Sequence, residues 1–306
     1  MERCETSEDN TDLEGENWSG ESPGFEVSFG RNTISLRDHH SGSRMIQHLT
    51  AMWKFRHFLL SLVKLDLRLR YRRSVLGIGW SLLNPIAMTF VFTLVFSNLL
   101  GNGDPIAYAA YVLTGVAVWS FVRDSALNGC RCFLINESYI RQSPIPYTIY
   151  TLRTVLGQAI HSLIAIGVVV AMLAIFSPDA GMVMRILSVV PGLLLALLAA
   201  WATATIAAFV NVYFHDTQHL LEVGAQILFF LTPIMYNRKL LDDKGLGWVV
   251  DANPVSWLLE LTRTPLLTGW TPTVQMYAAG AGFTLILAAL AVGTTAWLQK
   301  RVIFHL

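Results

Sequence analysis

Between Arg73 and Asp104 the chain runs for about thirty residues without a formal charge, and four later windows behave the same way. A helix rises about 1.5 Å per residue, so about twenty apolar residues cross a hydrocarbon core of roughly 30 Å. A water-soluble domain has nowhere to put so many such stretches. Composition agrees: 53% of the side chains are hydrophobic and 14% are charged, where a soluble domain carries roughly a quarter charged. The fold class that follows is an all-α integral membrane protein.

Charge-bounded windows place spans at about 79–100, 107–123, 150–176, 186–210 and 274–298. A sixth, over 217–236, is awkward. Between Glu222 and Arg238 lie fifteen residues, only about 22 Å of helix. Either the helix starts near Thr217 and carries Glu222 at its end, or the segment dips in and returns; crossing is the reading adopted. "DANPVSWLLELTRTPLLTGW" (251–270) is amphipathic, broken by Pro254 and Pro265, and too charged to span. It reads as short re-entrant helices on the outer face.

Orientation follows from Lys and Arg, which favour the cytoplasmic side. With six spans and both termini inside, sixteen bases fall in inner segments and five in outer ones: Arg185, Arg238, Lys239, Lys244 and Arg263. Ahead of the first span, residues 45–66 read as an amphipathic interface helix. Lys54, His57, Ser61, Lys64 and Arg68 form its polar stripe, with Leu59, Leu62 and Val63 on the other side. Residues 1–43 read as a disordered acidic tail, since nine acids and one base within residues 1–26 leave little to bury. The remaining 44–306 form one transmembrane domain. Three cysteines, Cys4, Cys130 and Cys132, lack the spacing of a zinc site.

No G-x-x-x-x-G-K-S/T loop occurs, so the chain has no phosphate cradle for ATP. His161 is the single ionisable residue well inside a span, too little for a proton relay. If transport here costs energy, the fuel is handled by another chain or by an ion gradient, and the lone His161 gives the gradient little support.

"DLRLRYRRSVLGIGWSLLNPIAMTFVFTLVFS" resembles the opening signature of type-2 ABC exporter permeases, in the branch that exports O-antigen, teichoic acid or capsule polysaccharide. "NESYIRQSPIP", "FHDTQHLLEVGAQILFFLTPIMY" and "NPVSWLLELTRTPLLTG" agree with later stretches of that family. Where the family shows Phe-Arg-Asp, this chain has Phe214-His215-Asp216, so a permanent cation is absent there. The resemblance implies a homodimer in the bacterial cytoplasmic (inner) membrane, paired with two copies of a P-loop ATPase that binds ATP and Mg. It implies no cofactor in this chain and no nucleic-acid partner. The cargo it implies is a polysaccharide on a polyprenyl diphosphate.

On that resemblance, Arg68, Arg70, Arg72 and Arg73 are candidates to hold the diphosphate at its entrance. Anchoring to anionic lipid is the competing use of the same charges. Asn136, Glu137, Tyr139, Arg141 and Pro144 match the family's coupling segment toward the ATPase. Phe92, Phe96, Tyr108, Tyr111, Trp119, Phe229, Phe230 and Tyr236 are candidates to line the sugar passage, against the alternative of a membrane-interface belt. Two other functions remain to be weighed: an exporter of a drug or small lipid, and a lipid-processing enzyme using His215, Asp216 and His219.

Overall fold

The computed structural model describes residues 28–29, 32–33, 56–72, 74–99, 104–142, 145–176 and 181–302. The chain divides into two compact units, Met1–His48 and Leu49–Leu306. In the first, β1 (Ser28–Phe29) and β2 (Asn32–Thr33) form a short antiparallel pair with Ser28 opposite Thr33. The rest of the expected acidic tail lies outside the described residues.

The second unit is helical. Its elements are α1 (Arg56–Tyr71), a 3-10 turn (Gly77–Gly79), α2 (Trp80–Leu99), α3 (Pro105–Ile135) and α4 (Glu137–Gln142). Then follow α5 (Tyr147–Phe176), α6 (Met182–Tyr213), α7 (Thr217–Leu231), α8 (Lys239–Asp242), α9 (Gly247–Ala252), α10 (Pro254–Thr268) and α11 (Val274–Val302). Among the described residues five helices, α2, α3, α5, α6 and α11, are long and apolar enough to cross a membrane.

α3 and α6 are the centre. Against them pack α2, α5, α10 and α11. Small residues explain the closeness: Ala196, Ala199, Ala200, Ala204, Ala207 and Ala208 are all buried on α6. A Cβ on Gly129 of α3 would stand 2.7 Å from the Ala204 Cα, so the two backbones nearly touch. The periphery differs. Of the apolar window of α2 only 11% is buried, against 61% of that of α3, so most of α2 faces outward.

α3 starts on Asp104, whose Oδ1 accepts the Ile106 N–H at 2.9 Å, with Pro105 in the first turn. It does not end at 123 as expected but runs to Ile135, about 46 Å. Arg123 pairs with Asp124 at 2.8 Å, so the charges mark the edge of the hydrocarbon and not the end of the helix. α1 likewise runs past 66 to Tyr71; residues 45–55 lie outside the described residues. Leu59, Val63 and Leu67 pack it onto Ile149, Leu152 and Leu156.

The segment expected over 217–236 needs correction. α7 stops at Leu231, because Pro233 drives Thr232 into an extended conformation (φ −90°, ψ 133°). Its foot is tied to Arg131, whose Nε donates to Gln218 Oε1 at 2.7 Å. Just beyond its head, Tyr108 donates to the Met235 carbonyl and Tyr111 to that of Tyr236 at 2.9 Å. Residues 108 and 131 of α3 stand about 35 Å apart. Along that length the segment is a short helix, α7, followed by unwound chain.

Pro265 does not break the segment expected over 251–270 either. α10 continues through it to Thr268 and stops at Gly269, whose φ of 75° suits glycine. Pro254 opens the helix, and Asn253 caps it by accepting the Val255 N–H at 3.1 Å while donating to Thr232 at 2.8 Å. Leu258, Leu259, Leu261 and Leu266 are buried.

Candidate functional site

Where α1 gives way to α2, Gly77 (φ 51°) allows a tight reversal, and Ser74 Oγ accepts the Gly77 N–H at 3.2 Å. This turn forms the lip of a pocket of about 360 Å³. Arg70 and Tyr71 close one side. Trp80, Ser81 and Asn84 of α2, Ser120, Phe121 and Asp124 of α3, and Gln158, His161 and Ser162 of α5 form its walls. It lies at the charged end of the bundle, where α3 carries Asp124.

His161 organises the pocket. Arg70 Nη1 donates to its Nε2 at 2.7 Å, and Ser81 Oγ lies 2.9 Å from its Nδ1. A guanidinium only donates, so Nε2 accepts and the ring hydrogen sits on Nδ1, aimed at Ser81. Tyr71 bonds the same Ser81 hydroxyl and sets its ring edge-on to the imidazole at 5.9 Å. The network fixes the end of α1 against α2 and α5.

Among the described arginines of this cluster, Arg70 is the one directed into this network. Arg68 and Arg72 are exposed, and Arg73 lies outside the described residues. His161, Asn84, Asp124 and Gln158 were not singled out from sequence as a binding set. A signal existed: Ser81 with Asn84, Ser120 with Asp124, and Gln158 with His161 and Ser162 are polar pairs at three- or four-residue spacing in apolar spans.

At the elbow after α3, Asn136 is 8% exposed and donates to the Cys132 carbonyl at 2.7 Å. Its Oδ1 accepts from Arg153 at 3.1 Å, and Arg153 also grips both oxygens of Asp66 on α1, one at 2.6 Å. Glu137 and Arg141 pair along α4 at 2.9 Å, and Tyr139 is exposed. Pro144 lies outside the described residues.

The aromatic candidates divide. Trp119 sits 5.8 Å from Phe229, and Phe92 lies 6.3 Å from Phe229 and 6.1 Å from Phe96, joining α2, α3 and α7. Tyr108 and Trp119 are buried among this chain's own side chains, because their face of α3 looks onto α7 and the unwound segment. Tyr111 lies under the Arg263 guanidinium at 3.7 Å, Tyr236 donates to the Phe230 carbonyl at 2.9 Å, and Phe230 itself is exposed.

His215, Asp216 and His219 are exposed; His219 comes no nearer to Glu222 than 3.8 Å. Among the described residues no group of three or more His, Cys, Asp or Glu is placed to hold a metal. Cys130 and Cys132 are free and buried.

Comparison with known proteins adds to this geometry. The family model described as ABC-2 type transporter matches residues 57–267. An O-antigen export system permease protein RfbA of Klebsiella pneumoniae is 25% identical over 213 residues, covering 69% of this chain and 80% of that protein. Its namesake in Myxococcus xanthus is 24% identical over 244 residues, covering 79% of this chain and 93% of that protein.

Proposed function

The chain belongs to the ABC-2 type transporter family, multi-pass membrane subunits that work with an ATPase, and from that premise we propose what it carries and how. It is the permease through which a lipid-linked cell-surface polysaccharide, O-antigen-like, teichoic acid-like or capsular, leaves the bacterial cytoplasm. Support comes from the relatives named as O-antigen export permeases and from the polar pocket at the charged end. The excess of Lys and Arg supports a cytoplasmic position for that end and both termini, in the inner membrane of this reading.

Arg70 is the observation that carries the reading. It projects at the level where a span meets headgroups, and it is bonded to a neutral acceptor, His161 Nε2. A phosphate oxygen makes a charge-assisted bond in which both partners are ionised, which is stronger than a bond to imidazole. An arriving diphosphate therefore displaces His161 from Arg70, with Arg68 and Arg72 exposed nearby to add charge. This chain holds no nucleotide. ATP and Mg are bound by two copies of a partner ATPase that dock on α4, around Tyr139. A second copy of this chain pairs along the largely exposed α2 and completes the passage.

The test uses the permease with its ATPase in proteoliposomes loaded with a polyprenyl diphosphate-linked glycan. Arg70→Gln with Arg72→Gln is expected to abolish glycan translocation while insertion and basal ATP hydrolysis stay normal. Undiminished translocation by that variant refutes the diphosphate role.

A further inference from the structure

We propose that the pocket beside Arg70 is a subsite for the first sugar ring of the cargo, the one bonded to the diphosphate; this rests on the function proposed above. Gln158 is the primary evidence. It is 9% exposed, it lines the pocket, and its amide makes no hydrogen bond to any described residue. Its amide atoms are not sealed in the packing, so they open onto the cavity with two donors and an acceptor to offer a ligand. Asn84 and Ser120 also line the cavity with side chains that bond to no described residue. Asp124 spends one carboxylate oxygen, Oδ1, on Arg123; Oδ2 is engaged by no described residue.

The chemistry of this set selects its ligand. Amides and hydroxyls donate and accept, and a carboxylate accepts, which is the complement of a ring carrying several hydroxyls. An acyl chain leaves all of these groups unsatisfied. Trp80, at the mouth, and Phe121 offer flat apolar faces for the C–H side of a sugar. Size sets the limit. About 360 Å³ lies at the small end of ligand pockets and suits one ring, not a chain of rings.

Placement agrees with the cargo's connectivity. Gln158 and His161 are three apart on α5 and so share one face, and His161 receives Arg70 at 2.7 Å. A diphosphate on Arg70 therefore presents its attached sugar to Gln158, one helical turn away. The consequence is selectivity for the linkage end of the glycan, which is identical in every chain length of one polymer.

Binding is measured on the complete permease–ATPase complex in nanodiscs of phosphatidylethanolamine, which keeps polyol headgroups out of competition. The probes are a polyprenyl diphosphate and the same lipid bearing one glucose, galactose or N-acetylglucosamine. In the parent protein at least one sugar is expected to tighten Kd about tenfold over the bare diphosphate, as a few well-made hydrogen bonds allow. Gln158→Met and Asn84→Leu are each expected to remove most of that gain while the bare diphosphate binds as before. Arg70→Gln is expected to weaken all probes alike. No gain from any of the three sugars, or a gain that survives Gln158→Met combined with Asn84→Leu, overturns the subsite and leaves the diphosphate reading intact. Equal binding of bare diphosphate by the parent and Arg70→Gln removes the reading beneath it.

Discussion

Two arginines join helices at opposite ends of the bundle, and they do so by different chemistry. At the charged end Arg153 of α5 holds the Asp66 carboxylate of α1 and the Asn136 amide at the α3–α4 elbow, with side chains 14% and 38% exposed for Arg153 and Asp66. At the other end Arg263 of α10 is 2% exposed. Its Nη1 donates to the Pro233 carbonyl at 2.7 Å, its Nη2 to that of Ile234 at 3.3 Å, and its plane covers Tyr111. Near water an ion pair is inexpensive to make and to break. In the interior the dependence runs both ways: the cation needs acceptors, and the carbonyls freed by unwinding α7 need donors. The first joint suits a part that shifts, the second a part that stays.

The largest effect is therefore expected from Arg263→Leu. It leaves the Ile234 carbonyl without its donor and the Pro233 carbonyl with only the longer bond from Tyr111, a loss of about 3 kcal/mol, read as a steep fall in folded, monodisperse protein after detergent extraction. Lysine at the same position keeps the charge but not the fork, and should recover only part of the yield. Gly115→Ala comes next. Its new methyl collides with the same guanidinium, and thermal unfolding in detergent should fall by the equivalent of about 2 kcal/mol.

Arg153→Ala is expected to cost less stability, about 1 kcal/mol, yet more function. It disconnects the α3–α4 elbow, proposed above as the ATPase contact, from the helix that carries Arg70. Cargo-stimulated ATP hydrolysis should drop severalfold while basal hydrolysis holds, and the charge swap Asp66→Arg with Arg153→Asp should restore part of the response. If stimulation is unaffected, the two ends do not differ in the way argued. The smallest stability effect is expected for Glu137→Ala, which breaks an exposed pair one turn apart on α4. Unfolding should move by no more than about 0.5 kcal/mol, with any change appearing in ATPase affinity.

The same contrast explains what could be read from the sequence. Hydrophobic windows located α2, α5, α6 and α11 closely, because transfer out of water acts on each residue separately. They failed at the ends of α3, where paired charges let the helix continue into the polar zone. They also missed the end of α7, where the unwound chain depends on Tyr108, Tyr111 and Arg263 meeting backbone oxygens 30 to 127 residues away in sequence. Arg70 was visible as a member of a dense cluster. Its partner His161 stood out only as a lone ionisable residue, too little for a proton relay, because the contact spans α1 and α5 and nothing local announces it. The pocket's polar pairs were present in each helix, but their convergence is a property of packing.

The central claim is that this chain supplies the passage and a separate ATPase supplies the energy. Nucleotide hydrolysis and glycan translocation measured in the same proteoliposomes, with and without the ATPase subunit, test it most directly. The account expects neither activity from this chain alone, and both together, dependent on Arg70, once the ATPase is added. ATP hydrolysis by the isolated chain, or glycan movement without the second subunit, contradicts it.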